Sequence, residues 1–249
     1  MKQFLLPASY SGQPTAVIQG EDYHYLAHVR RVEEHQIFSG IDLKGIPYEL
    51  EVMEISRERI SLKVRKIETR VEDVPRLTLF QCIPKGKRMD TIVRQCVETG
   101  VSRIVPVISS HTVVKLSDEK KTVKVKRWEK IIKEAVQQSG SPRPPAVSPV
   151  ISMMDSLDYS EEFDLKLFFH EQPLANKGLH QYLFEESKNI ALFIGPEGGL
   201  SEREVQFLQG NGFSPVWLGK RILRVDTAAL FAISSIQILL LEKDAWKSW

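Results

Sequence analysis

Ile190-Ala191-Leu192-Phe193-Ile194-Gly195-Pro196-Glu197-Gly198-Gly199-Leu200-Ser201 is the stretch on which the fold turns. Its first five residues are apolar and short enough for a strand buried on both faces. The next five place three glycines around a Pro-Glu pair, which lets backbone approach a ligand and leaves N–H groups to donate to it. Ser201 followed by Glu204 reads as a capping box, so a helix begins there. Strand, glycine loop and helix in this order make one unit of a parallel sheet, whose ligands bind beyond the C-terminal strand ends. The alternative is a tight strand-to-helix turn that carries no ligand.

The same rhythm extends outward from this unit. Upstream, strand-like Leu77–Ile83 precedes a helix over Arg88–Thr99, with Met89, Ile92, Val93, Cys96 and Val97 at helical spacing and Gly100 as the stop. Arg103–Ile108 reads as a strand. A long helix from Val123 to Gln138 carries Trp128, Ile131, Ile132, Ala135 and Val136 on one side, and Ser139-Gly140-Ser141-Pro142-Arg143-Pro144-Pro145 breaks it. Leu165–Phe169 and Val216–Leu218 are further strands, each with a loop and a helix after it. Strands alternating with helices predict an α/β fold with a parallel sheet.

Two more strand ends carry chemistry-bearing residues. Leu218-Gly219-Lys220-Arg221-Ile222-Leu223-Arg224 sets an apolar pair among three cations, which suits the wall of a pocket for a flat ring, and a last helix starts near Asp226 or Thr227. Phe168-Phe169-His170-Glu171 ends the strand before it; a lone histidine there is more often structural than catalytic. No GxGxxG follows a strand and no GxxxxGK[ST] exists, which excludes an ordinary Rossmann cofactor site and a P-loop.

The first seventy residues read differently. Thr15–Ile18, Gln36–Ile41, Tyr48–Ile55 and Ile60–Ile67 are short strands with turn signals between the last three, and the alternation of Tyr48, Leu50 and Val52 slips near Met53. A helix is expected over Glu21–Val32 with Tyr25, Leu26 and Val29 on its apolar face. This composition predicts a small barrel, and polar 69–75 is the expected linker. The predicted domains are 1–72 and 73–249.

Met1–Pro7 has no long apolar core and no small-residue cleavage site, so no signal peptide is expected. The most apolar stretch, Ala228–Leu241, reads as a buried helix too short for a bilayer, and a cytoplasmic location follows. The two cysteines, Cys82 and Cys96, read as reduced core thiols, and the six histidines lie in no metal-ligand spacing, so no metal is expected. Net charge is +2, but residues 73–146 hold 15 Lys/Arg against 7 Asp/Glu, concentrated at Lys85-Gly86-Lys87-Arg88 and from Lys115 to Lys133. Such a segment can neutralise nucleic-acid phosphates or can be a solvated face.

Pro84-Lys85-Gly86-Lys87-Arg88-Met89-Asp90, Gln137-Gln138-Ser139-Gly140, Ile194–Ser201 and Leu218–Arg224, in this order and spacing, resemble the RsmE family of the SPOUT methyltransferases. The likeness spans nearly the whole chain and includes Val29-Arg30-Arg31. It implies methylation of N3 of a uridine in 16S ribosomal RNA, within the small ribosomal subunit, using S-adenosyl-L-methionine. It also implies a PUA-like N-terminal barrel, a C-terminal domain with a trefoil knot, and a homodimer. By the family pattern Phe169, His170, Gly195, Pro196, Glu197, Gly198, Gly199, Leu218, Gly219, Ile222 and Leu223 hold the cofactor. Arg31, Lys85, Lys87, Arg88, Arg143 and Arg221 are the RNA-contact candidates. Two departures stand out: Gln3 replaces a common arginine before Phe4-Leu5, and Val225-Asp226-Thr227 follows Arg224 where Thr-Glu-Thr is frequent.

Methylation at N3 requires loss of the N3 proton, and the charge spreads onto O2 and O4 of the ring. A fixed guanidinium there stabilises it, and Arg224 is the candidate catalytic residue. Water, Asp226 and Glu197 are the alternatives for the proton acceptor. The competing readings are a non-catalytic RNA-binding assembly factor and a SPOUT enzyme acting on transfer RNA; the intact loops disfavour the first and the N-terminal barrel the second.

Overall fold

Period-two burial builds the N-terminal part of the protein. The computed structural model describes residues 3–68, 74–112, 117–183 and 186–247. It begins with β1 (Phe4–Leu5), β2 (Thr15–Gln19), α1 (Gly20–His24), β3 (Ile37–Ile41), β4 (Pro47–Ile55) and β5 (Arg59–Lys66). The five strands form one sheet in the order β1-β3-β4-β5-β2, antiparallel except for the β1–β3 pair. β4 buries Tyr48, Leu50 and Val52, and a bulge falls between Val52 and Glu54, at the slip seen in the sequence. The extra residue leaves Met53 exposed without putting the rest of the strand on the wrong face.

The single helix expected over Glu21–Val32 is not there. α1 ends at His24, a π-helical stretch carries Tyr25–Arg30, and the chain leaves through Arg31 in the left-handed region at φ 55°. The wider turn rotates later side chains off the core face. Leu26 is buried as expected, but Val29 is 63% exposed.

The C-terminal part holds β6 (Arg76–Cys82), α2 (Arg88–Glu98), β7 (Arg103–Ile108), α3 (Asp118–Ser139), β8 (Ala146–Val147), β9 (Ile151–Ser152), a 3₁₀ helix (Met154–Glu162), β10 (Leu165–His170), α4 (Leu179–Tyr182), β11 (Asn189–Ile194), α5 (Glu202–Gly210), β12 (Ser214–Trp217) and α6 (Val225–Lys247). Its seven strands are parallel in the order β12-β10-β11-β6-β7-β8, with β9 also on β7. The expected parallel α/β sheet is present. The sequence reading missed β1, β8 and β9, all of two residues, because so short a run has no period to detect. β8 and β9 flank a gap that falls beside Pro106, which has no N–H to give an outer neighbour.

Phe80 and Phe193, on the adjacent strands β6 and β11, stack at 5.8 Å, and Phe213 meets both edge-on. Cys82 and Cys96 are free and fully buried, and burial pushes both thiols well above their ordinary range. By contact the chain divides into Met1–Glu72 with Lys133–Pro144, and Asp73–Ile132 with Pro145–Trp249. In the first unit, Lys133–Pro144, the end of α3 and the loop after it, is tied down by Lys133 to Asp22 and by Gln3 Nε2 to the Ser141 carbonyl, each at 2.5 Å.

α6 corrects another expectation. It runs for 23 residues, and Val225–Lys243 is by length and composition sufficient to cross a membrane. The apolar stretch Ala228–Leu241, read from sequence as a buried helix, is buried on one side only. One face is core: Ala229, Ala232, Ile233 and Ile236 are buried, and Gln237 donates to the Thr99 carbonyl at 3.0 Å at the end of α2. Phe231, Ile238 and Leu241 stand exposed on the other.

The predicted capping box is present, and Glu204 does more than cap. Its Oε2 accepts from Ser201 N at 2.8 Å and Ser201 Oγ at 2.9 Å, while Oε1 accepts from Ser110 N at 2.7 Å, after β7. Burial works to raise this carboxyl's pKa, but the hydrogen bonds outweigh it and the pKa lies below its ordinary value. A depressed carboxylate adds stability above its unfolded pKa of about 4.5 and loses it as pH falls through the lower folded value. Glu204→Gln should therefore cost about 1–3 kcal/mol at pH 7. In urea denaturation it should also fall less steeply in stability below pH 5 than the native chain, and equal slopes in the two proteins would contradict this.

Candidate functional site

The glycine loop leaves β11 between two neighbouring strand ends, and its three glycines have separate reasons to be there. A Cβ on Gly195 would lie 3.2 Å from Leu200 Cγ and 3.3 Å from the Gly199 carbonyl carbon. On Gly198 it would lie 3.2 Å from His111 Cβ. Gly199 has a φ of 69°, a left-handed conformation costly to other residues, and its N–H donates to the Pro196 carbonyl at 3.0 Å. Pro196 is buried, whereas Glu197 and Gly198 face solvent. The result is a tight loop with bare backbone on its open side.

Glu197 fixes the loop to the end of β6. Its carboxylate accepts from the Lys85 N–H at 3.0 and 3.2 Å and forms an ion pair with Arg88. Partial burial works against the charged form, but these bonds and its own backbone N–H hold the carboxyl below its usual pKa. Two sets of expected contacts thus meet each other: Glu197, assigned to cofactor, and Lys85 and Arg88, assigned to RNA. Lys85 supplies its backbone N–H here and keeps its ammonium in solvent, as Lys87 does. The neighbouring Arg127 is spent on Asp90, through Nε at 3.2 Å and Nη2 at 2.5 Å. The basic excess of 73–146 is therefore partly neutralised within the protein. Lys115 lies outside the described residues.

On the other side, β10 pairs with both β11 and β12, with Phe169 opposite Ile194 and Val216, and His170 opposite Trp217. Phe169, His170, Gly195 and Leu218 therefore stand at three adjacent strand ends. Phe169 is buried; His170 accepts from the Gln172 N–H at its Nδ1, 3.1 Å away, so the ring proton sits on Nε2. Leu218, Gly219 and Leu223 are half-buried, and Gly219 has a φ of 106°. Ile222 is 87% exposed, an apolar side chain left almost bare. Arg221 and Arg224 are exposed, and among the described residues neither side chain has a partner. α6 begins at Val225, one residue before the expected start, so Asp226 lies inside the first turn instead of capping it. Its Oδ1 is buried with no hydrogen-bond partner. Arg31 and Arg143 belong to the other unit, Arg31 exposed and Arg143 half-buried.

Sequence reading missed the turn after β7. Ser109–Thr112 closes on itself, with Ser109 N donating to Thr112 Oγ1 at 3.0 Å and Thr112 N to the Ser109 carbonyl at 3.0 Å. From it Ser110 N reaches Glu204, and His111 Nδ1 lies 3.1 Å from the Gly199 carbonyl oxygen. The usable signal was position, since this turn is also the C-terminal end of a parallel strand. Among the described residues no group of three His, Cys, Asp or Glu side chains could hold a metal.

Comparison with known proteins places this arrangement. Residues 72–237 match the family model of the RNA methyltransferase domain. The ribosomal RNA small subunit methyltransferase E of Aquifex aeolicus is 34% identical over 87% of this chain and 90% of its own. That of Bacillus subtilis is 30% identical over 90% of each. The crystal structure of the Neisseria gonorrhoeae ribosomal RNA small subunit methyltransferase E, bound to S-adenosyl methionine, superposes with a TM-score of 0.83 at 31% identity, over 96% of this chain and 98% of that one. A glycine loop at the ends of parallel strands, a matching domain and relatives alike over nine-tenths or more of their length agree: the chain belongs to the ribosomal RNA small subunit methyltransferase E family of RNA methyltransferases.

Proposed function

We propose that this protein transfers the methyl group of S-adenosylmethionine to N3 of a uridine in 16S ribosomal RNA of the small ribosomal subunit. The observation that carries the reading is the glycine loop, bare of side chains on its open face and held on both flanks, in a chain whose Neisseria relative was solved with that cofactor. The residues present fit the group. Added Cβ atoms at Gly195 and Gly198 would fill the space around the loop backbone, and exposed Ile222 offers an apolar face for a flat ring.

When bound, S-adenosylmethionine supplies an electrophilic methyl on a sulfonium, which leaves as the neutral thioether. The protein's part is orientation and charge. Gly198 and Gly199 bring backbone close, while Ile222 and Leu223 close an apolar wall. Arg224, next in the chain, places a guanidinium where charge gathers on O2 and O4 of the uracil. The N3 proton must leave. Glu197 is a poor acceptor, because Lys85 and Arg88 occupy its carboxylate and its pKa is already depressed. Asp226 and water remain as acceptors. Arg31, Lys85, Lys87, Arg143 and Arg221 are the cations left for phosphates, and the target base leaves its stack to reach the pocket.

The same reading assigns residues 1–72 to a PUA-like RNA-binding barrel and 73–249 to a SPOUT domain with a trefoil knot, acting in the cytoplasm on the assembled subunit. The exposed face of α6, with Phe231, Ile238 and Leu241, fits a second copy of the chain.

Three measurements test this. Gly198→Val, whose Cβ would press on His111, should abolish S-adenosylmethionine binding in calorimetry while the protein stays folded; unchanged affinity would remove the loop from the cofactor site. Arg224→Ala should slow single-turnover methylation at saturating RNA by about a hundredfold or more. Arg224→Lys should rescue poorly, since a point charge does not span two acceptors. Normal turnover in Arg224→Ala would shift the role to Arg221. Sedimentation at micromolar concentration should give a dimer, and a monomer would free the α6 face for another partner.

A further inference from the structure

The turn after β7 does no chemistry in the reaction above, yet it touches the glycine loop at two residues and α5 at a third. Gly198 packs on His111 so closely that an added Cβ would sit 3.2 Å from the His111 Cβ. The Gly199 carbonyl can only accept, so His111 Nδ1 carries the proton of their 3.1 Å hydrogen bond. In the first turn of α5, Glu204 accepts from Ser110 N at 2.7 Å and, with its other oxygen, from Ser201 N and Oγ. The turn therefore grips the peptide of Gly199 and, through Glu204, the first turn of α5.

We infer that His111 is a positioning residue for the cofactor loop: its Nδ1–H holds the Gly199 carbonyl and so sets the backbone that receives S-adenosylmethionine, without contact between His111 and the cofactor. This rests on the reading of the glycine loop as the cofactor site. Gly199 stands in a left-handed conformation, and a glycine there has many alternatives of similar energy. Gly198 before it is equally free of side-chain restraint. A loop this permissive is ordered by what holds its carbonyls, and binding to an unordered loop is weakened by the fraction of molecules in the wrong conformation.

The test compares donor-less and donor-keeping substitutions in the full chain. His111→Phe keeps a flat ring but has no N–H, His111→Leu has neither, and His111→Asn places an amide N–H close to where Nδ1 stood. Calorimetric titration with S-adenosylmethionine should give affinity about three- to tenfold weaker in the Phe and Leu chains, from the net worth of one hydrogen bond. The Asn chain should recover most of it. Because His111 is exposed, the melting temperature without cofactor should stay within about 2 °C of the native chain in all three. Native affinity in the Phe and Leu chains would overturn the inference. So would an Asn chain as weak as the Phe chain, which would make ring packing on Gly198 the whole effect. Absence of binding by the unmodified chain would refute the cofactor reading and this inference with it.

Discussion

Glu204 ties two elements with one carboxylate. Its two oxygens take the N–H of Ser110 after β7, and the N–H and hydroxyl of Ser201 at the head of α5. The side chain is 8% exposed, so the charge is held in a place that would be costly without those donors. Parallel strands leave their connecting loops side by side at one end of the sheet, but nothing in strand pairing says how those loops pack. Here the packing is set by charge-assisted hydrogen bonds: Glu204 on the β7 side and Glu197 on the β6 side. The three glycines of the loop have no side chains with which to hold it, so its order depends on these two carboxylates.

How much of this the sequence reveals depends on the range of the interaction. The α/β rhythm, the buried face of α2 and the Ser201–Glu204 capping box are local patterns, and each appears in the structure. The slip at Met53 was visible because alternation fails within one strand, and the bulge is found there. The Glu197–Arg88 ion pair spans 109 residues and has no local signature. Lys85 and Arg88 therefore read as two exposed cations, when the Arg88 guanidinium is paired and only the Lys85 ammonium stands in solvent. The π-helical stretch at Tyr25–Arg30 was missed because its composition suits an ordinary helix and carries no local mark of the wider turn. Resemblance supplied the cofactor and substrate class, which composition and spacing alone left open.

The division of charge has a functional meaning. Arg88 and Arg127 are paired with Glu197 and Asp90, so they organise the loops at the end of β6 and contribute little to a long-range field. Arg221 and Arg224 are exposed and unpaired among the described residues, on a loop that ends at the first turn of α6. Cations that hold the scaffold and cations open to solvent thus differ in their partners, even where, as with Lys87 and Arg88, they are neighbours in the chain. A count of lysines and arginines cannot make that distinction.

The sheet order has a consequence for how the protein comes into being. β11 lies between β10 and β6, and its register pairs Ile194 with Gln81, 113 residues earlier. Contacts of such separation are slow to form, because the chain loses the entropy of a long loop before any pairing compensates. During synthesis β6 and β7 emerge first, and β6 keeps an unpaired edge until more than a hundred further residues have been made. An open apolar edge strand is a template for pairing with other chains. The strand that ends in the glycine loop is also the one that closes this edge, so a molecule still exposed to misassembly has not yet set that loop in place.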